Sequence, residues 1–413
     1  MESASTGAVR SADRKNGGSK QKKQKDPNRI KWIDASGRID MPMLIITMVL
    51  LIFGITMMFS ASHALSYRDN DGDSYAYATK QMTAAGLGLI AMFAASVFDY
   101  RMLRHEFRLF GTERKVTLAG IIFAVTFFLN FLCIFIGVSN VEDGPRRWIQ
   151  IPVFGTFQPS DFLKVGLILY MAYYIHKHSE NLRKFGVGIV RPFILFGLVA
   201  VTMMFQPHLS ATMIMAVIFM GMLFVGGINM KPLIVVGILA LAGIALLAVF
   251  SGFEYFGDRF TYMDPLSDPT DKSYQSYQAA LAVGSGGIWG VGFGNSSQKY
   301  YYLPEAQNDF VYAVLCEEFG FVGGLVVILL FIIFVMRGFY IARKAEDKFG
   351  MMLATGISIQ VGIQALLNIG VNVFCIPNTG ISLPFFSYGG TALLVQLAEV
   401  GLLLSVSKRA RLN

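Results

Sequence analysis

Residues 41–65 read MPMLIITMVLLIFGITMMFSASHAL. The run holds no Asp, Glu, Lys or Arg. It is long enough to cross the hydrocarbon core of a bilayer, which takes about 20 mostly apolar residues per helix. Nine further runs follow, at about 81–98, 116–137, 160–176, 190–206, 210–229, 232–252, 309–336, 350–374 and 388–407. The predicted fold is therefore all-α, a polytopic membrane protein of about ten transmembrane helices with a long outer loop between spans seven and eight. The fifth span is short and bounded by prolines, so its edges are the softest. The first run begins after residue 40, which is not the layout of a cleavable signal peptide behind a short basic start.

Composition points the same way. Counting glycine, about 64% of the 413 residues are apolar, against roughly 45–50% in an average soluble chain. Charged residues make up 15%, where about 25% is usual. Such a chain is neither disordered nor a coiled coil, and few soluble folds could hide this much apolar surface. Cys133, Cys316 and Cys375 fall in or beside apolar runs and read as small core residues. They show no zinc spacing and no disulfide framework.

The net charge of +8 is uneven: residues 1–40 carry ten Lys/Arg against five Asp/Glu. This tail is rich in Lys, Ser, Gly and Asp and is expected to be disordered. It reads as a basic cytoplasmic leader attracted to anionic lipid, and nucleic acid is not expected as a partner. Residues 41–407 form the membrane domain, and 408–413 a short basic cytoplasmic end. Alternate loops divide the basic residues 27 to eight. The positive-inside rule then puts both termini in the cytoplasm. Two outer segments, 138–159 and 253–308, are long, and long ordered loops are usually functional. Within the second, AALAVGSGGIWGVGFG (279–294) is apolar but too short and glycine-broken to span. It reads as re-entrant, which requires its backbone to be covered by protein. Its glycine spacing is not a dinucleotide fingerprint.

Ionisable groups in or near spans are costly and so become functional candidates. Asp309 opens span eight, behind a Pro-Glu turn and a polar loop with Lys299 and three tyrosines. A carboxylate at the mouth of an apolar cavity can act as a general base, and the same features suit a transporter gate. Asp161 and Lys164 share a helix face at the start of span four; the plain reading is an ion pair at the membrane edge. Glu317 and Glu318 read as internal polar packing, and Glu399 has no evident partner in sequence. The five histidines have no metal spacing.

Three stretches carry a resemblance: PRRWIQIPVFGTFQPSDFLK (145–164), YQAALAVGSGGIWGVGFGNSSQKYYYLPEAQNDFVYAVLCEEFGFVGG (277–324) and IPNTGISLPFFSYGGTALL (376–394). They resemble the signatures of the SEDS family (shape, elongation, division and sporulation) over roughly residues 41–407. The resemblance implies a peptidoglycan glycosyltransferase. Such an enzyme polymerises lipid II on the outer face of the bacterial cytoplasmic membrane, beside a class B penicillin-binding transpeptidase and other division or elongation membrane proteins. It also implies that Asp309 is the essential carboxylate. The family's Arg-Trp pair falls on Arg147 and Trp148, and its Pro-Ser-Glu-x-x-Lys pair on Asp161 and Lys164. Asp161 is one methylene shorter than the usual glutamate. At 206–210 the usual Gln-Pro-Asp-Leu-Gly reads Gln-Pro-His-Leu-Ser, and His208 is given no role. Thr391 stands where serine is common.

Polymerisation would attack one lipid-linked sugar with the 4-hydroxyl of another, and a positioned carboxylate helps by taking that proton. The departing undecaprenyl pyrophosphate gains negative charge, which Arg or Lys, or a divalent cation such as Mg²⁺, stabilises. The expected substrate-binding set is Arg147, Trp148, Asp161, Lys164, Arg259, Lys299 and Glu305, with no protein metal site. A single displacement from an α-linked donor to a β-linked product inverts the anomeric centre. The rival readings are a lipid II flippase and an ordinary solute transporter. A transporter would more often place its site near the midplane, whereas these candidates gather at the outer face. The wording YYLPEAQNDF and IPNTGISLPFFSYGG leans towards the division and sporulation branch rather than the elongation branch.

Overall fold

The structure, a computed structural model, describes Trp32 and residues 37–108, 115–139, 146–151, 155–206, 208–229, 231–235, 237 and 273–411, with backbone alone at 108, 151 and 155. The helices are α1 Met41–Asp69, α2 Ala76–Val97, α3 Leu118–Ile136, α4 Pro159–Lys177, α5 Arg191–Met204, α6 Leu209–Gly226, α7 Tyr274–Ser285, α8 Val311–Lys344, α9 Lys348–Asn372 and α10 Gly390–Ser407. A π-helical turn, Gly186–Val190, leads into α5. Eight of the described helical segments are long and apolar enough to cross a membrane. The helix α4 is not among them, because Asp161, Lys164, His176 and Lys177 lower its hydropathy. It can carry those groups because α3, α6, α9 and α10 pack around it and keep it off lipid. The predicted span 232–252 lies almost wholly outside the described residues.

Helix starts are set by local capping. The Asp40 carboxylate accepts from Met43 N at 2.9 Å ahead of Pro42. Thr117 Oγ1 and Asp347 Oδ1 do the same for Gly120 N at 3.2 Å and Gly350 N at 2.7 Å. Each satisfies one of the N–H groups a helix start leaves open. Two antiparallel hairpins fill out the bundle ends: β1 Glu106–Arg108 with β2 Lys115–Thr117, and β3 Ile149–Ile151 with β4 Gly155–Phe157. The most extensive helix contact joins α2 to α10. A Cβ on Gly401 would stand 2.3 Å from Met92 O, so the two backbones meet through glycine, as small residues permit in membrane bundles.

The two ends of the bundle differ. At one end the Arg337 guanidinium is forked onto Asp40 (2.6 and 3.0 Å), Ser407 Oγ accepts from Asp40 N, and Arg411 N donates to Lys344 O. Trp32 stacks at a tilt on Phe98 there, and Asp99 pairs with Arg101 at 2.9 Å. The last residues of the basic tail thus belong to the folded body. The far end holds the α1–α2 turn, the β3–β4 hairpin, the start of α4 and the segments 286–310 and 373–389.

The apolar glycine-rich segment behaves as the re-entrant reading requires. After α7 it returns along a break in α8, where Gly320 has φ +66°. Val291 N and Gly292 N donate to Glu317 O and Glu318 O, both at 3.0 Å, while Phe321 N donates to Gly287 O at 2.9 Å. The broken helix and the loop therefore satisfy each other's backbone, as a re-entrant segment requires. Gly290 is obligatory in this crossing, since a Cβ there would lie 2.2 Å from Glu318 O.

Candidate active site

Asp309 sits two residues before α8, at the end of the bundle opposite the start of α1 and the end of α10. Its backbone is held firmly. Asn368 and Asn372, one turn apart on α9, both donate to Asp309 O, at 2.8 and 3.0 Å. On either side of them, Asn372 Oδ1 accepts from Ala313 N at 3.0 Å and Ser387 Oγ donates to Asn308 O at 2.6 Å. The Asp309 carboxylate itself is half-buried and takes no hydrogen bond or ion pair among the described residues. The 376–389 loop lies against it: a Cβ on Gly380 would be 3.5 Å from Asp309 Oδ2. Burial, and after it the nearby Glu305 charge, push this carboxyl up to about 7. A free carboxylate poised near neutrality is what a general base needs.

A second group gathers where α4 begins. Lys164 and Asp161 form the expected ion pair at 2.8 Å. It is not an exposed edge pair, however: the residues are 6% and 9% exposed. The neighbouring helices α9 and α10 bring Gln360 and Glu399 towards it, with Gln360 Nε2 donating to Glu399 Oε2 at 2.7 Å. Arg147 Nε donates to Gln206 O at 3.3 Å. His208, at the start of α6, lies within electrostatic reach of both cations. Burial, then the Arg147 and Lys164 charges, push its imidazole down to about 3, so it is neutral. Gln158 Nε2 stands 2.6 Å from its Nε2. Trp148 enters through its backbone, bridged to Val138 at 2.8 Å. Ser210 Oγ donates to Thr379 O, tying this group to the loop that covers Asp309.

Lys299 does not join the cations. Its ammonium donates to Gly294 O at 2.7 Å, Glu318 Oε1 at 2.9 Å and Ser60 Oγ at 3.0 Å. Those three bonds use all its N–H donors and leave none for a phosphate. Glu317 accepts from Ser296 Oγ and from Ser297 N at 2.9 Å. The two glutamates thus clamp the re-entrant segment, in line with internal polar packing. Glu305 lies by Asp309 and accepts from Asn308 Nδ2. Arg259 lies outside the described residues. Cys133 and Cys316 are buried as expected, but Cys375 is exposed because α9 ends before it.

Sequence reasoning missed Asn368 and Asn372, and noted His208 without giving it a role. The asparagines did leave a signal, two amides at i,i+4 in an apolar span, where such groups are expected to be bonded.

Residues 41–412 match the FtsW/RodA/SpoVE family of cell cycle proteins, and the chain belongs to that family. It is 36% identical over 373 residues to the probable peptidoglycan glycosyltransferase FtsW of Geobacter sp. (strain M18), covering 90% of this chain and 97% of that protein. It is 37% identical over 373 residues to stage V sporulation protein E of Bacillus subtilis (strain 168), covering 90% and 98%. A solved peptidoglycan synthase complex, described as coordinating polymerization and crosslinking, contains a chain that superposes with a TM-score of 0.71 at 24% identity, covering 89% of this chain and 97% of that one. The rod shape determining protein RodA of Thermus thermophilus gives 0.63 at 24%, covering 90% and 98%. The likeness to these two structures is one of fold. The chain is a multi-pass membrane protein.

Proposed function

We propose that this protein polymerises lipid II into glycan strands at the outer face of the cytoplasmic membrane, by an inverting displacement with Asp309 as general base. The observation that carries the reading is the Asp309 carboxylate: free of partners, near neutral in acidity, and fixed from its own backbone by Asn368 and Asn372. Holding a base by its main chain leaves both carboxylate oxygens for the attacking 4-hydroxyl. Arg147 and Lys164 lie at the same end of the bundle as Asp309, with Asp161 and Glu399 near Lys164 and a neutral His208 within reach of both cations. A guanidinium and an ammonium at that end are the kind of donors that stabilise the pyrophosphate of the departing lipid carrier. Among the described residues no three His, Cys, Asp or Glu side chains converge on a metal position. A divalent cation there would take most of its ligands from the phosphates.

Placement at one end of the bundle, rather than at its midplane on broken helices, supports polymerase over flippase or transporter. The basic asymmetry supports cytoplasmic termini, and hence an outward-facing site. The FtsW and sporulation relatives support the division and sporulation branch. A partner transpeptidase of the penicillin-binding class fits the assembly in which a structural neighbour was solved. The test is purified protein with that partner, incubated with labelled lipid II and assayed for glycan chains. Asp309→Asn should fold and lose about 10²–10⁴ in rate; near-normal polymerisation by that variant would end the assignment.

A further inference from the structure

A cavity of about 340 Å³ lies beside the Asp309 segment, between the end of α1, the start of α2 and residues 299–307. Its volume is near the lower end of the roughly 300–1,000 Å³ of small-molecule sites. Arg68, Asp69, Tyr77, Lys299, Tyr301 and Glu305 are among its walls. None of the chemistry assigned above uses Arg68, Asp69, Tyr77 or Tyr301.

The wall has a definite character. Arg68 lies over the Tyr301 ring, 5.1 Å from its centre, and bonds Asp69 at 2.9 Å. Asp69 accepts from Tyr77 OH at 3.2 Å, and Tyr77 meets Tyr388 edge-on at 5.0 Å. Tyr388 follows Ser387, which holds the carbonyl next to Asp309. The cavity is thus joined to the catalytic segment on two sides. Tyr301 and Glu305 stand at φ +70° and +54°. Bulky residues rarely take that region, and such residues gather at ligand clamps.

Charge decides what fits. Arg68 and Lys299 are balanced in the wall by Asp69 and Glu305, and Lys299 is further neutralised by Glu318. A pyrophosphate would find no surplus cation here. Aromatic faces set among both donors and acceptors suit instead a neutral ring bearing hydroxyls and an amide. We infer that this cavity is a saccharide subsite, holding an N-acetylated sugar of the acceptor or the growing strand while Asp309 acts on the next hydroxyl. The inference rests on the polymerase reading and adds where the glycan lies.

The test uses the full-length protein in detergent and a neutral probe, the β-1,4-linked tetramer of N-acetylglucosamine, followed by saturation-transfer NMR. Wild type and Asp309→Asn should bind it alike. Tyr301→Ala and Asp69→Asn should each weaken binding at least fivefold. Tyr301 donates to Ala64 O, so its loss can disturb folding. Asp69 is one-third exposed and paired at the surface, which keeps its variant informative. With lipid II, Asp69→Asn should raise KM with kcat within twofold, the mark of lost binding rather than lost chemistry. The subsite is overturned if wild type does not bind the tetramer, if both variants bind as wild type does, or if inorganic pyrophosphate displaces it. Those results leave the Asp309→Asn polymerisation assay untouched, so failure of the subsite and failure of the polymerase reading are told apart.

Discussion

An aspartate in water ionises near pH 4, and Asp309 does so near 7 because burial, then Glu305, disfavours its charge. A general base must be deprotonated, so polymerisation by wild type should fall as pH drops through about 7. Glu305→Gln removes the smaller cause and keeps the larger. Its acidic limb should therefore move to lower pH without reaching the ordinary carboxylate range, as a pH–rate profile of kcat/KM would show; an unmoved limb would mean the two carboxylates do not interact. Stability runs the other way. The folded protein holds this proton more tightly than the unfolded chain, so the stabilisation is complete below the ordinary carboxylate range and lost as pH rises through about 7. Asp309→Asn should accordingly melt higher than wild type at pH 8, with the gap narrowing as pH falls and closing only near the ordinary carboxylate range. The residue itself was legible from its place in a motif before an apolar run. Its supports were not, because Asn368 and Asn372 lie some 60 positions away, and only the packing of α9 on α8 brings their amides to its carbonyl.

Helices decide how such groups can be afforded in an apolar bundle. The pair Asp161–Lys164 was readable from its i,i+3 spacing, but its burial was not, since that depends on four helices surrounding α4. Burial changes the expected magnitude. An exposed pair contributes about 0–1 kcal/mol, whereas removing one partner of a buried pair costs about 3–5 kcal/mol. Lys164→Ala should therefore lower stability markedly in a denaturation series, and Asp161→Asn/Lys164→Gln much less, since no charge is stranded. Both should polymerise at least tenfold more slowly if Lys164 faces the pyrophosphate. A stable double variant with wild-type rate would make the pair purely structural. The α2–α10 seam is a packing matter alone. Gly401→Val would drive a Cβ into Met92 O and should destabilise by about 1–3 kcal/mol, while Gly86→Ala, with nothing within 4 Å, should leave the melting temperature unchanged or slightly raised. Equal melting of the two variants would show that the seam can open freely. The long apolar helices of the described residues and the glycine-broken segment before α8 were predictable because hydropathy and glycine are local signals. That Glu317 and Glu318 would clamp Lys299 and its loop was not, because the contact depends on a helix break at Gly320.

At the scale of the whole molecule, the start of α1 with the end of α10, and the candidate site, occupy opposite ends of one bundle. Asp40, Arg337, Ser407 and Arg411 are knitted together at one end, and Asp309, Arg147 and Lys164 stand at the other. Orientation in the membrane therefore has one consequence for both: if the 27-to-eight division of basic residues puts the termini inside, the site faces out, where lipid-linked sugars are polymerised. The protein carries its own reporter of this. Cys133 and Cys316 are buried, while Cys375 is exposed in the loop after α9, on the site's end of the bundle. A membrane-impermeant thiol reagent added to intact cells or right-side-out vesicles should label the natural protein, and Cys375→Ser should abolish the label. Placing Ser19→Cys in the Cys375→Ser background should give no label until the membrane is permeabilised. Labelling of Ser19→Cys in sealed cells, with Cys375 protected, would invert the topology. Asp309 would then face the cytoplasm, and an outer-face polymerase could not be maintained whatever the geometry of its carboxylate.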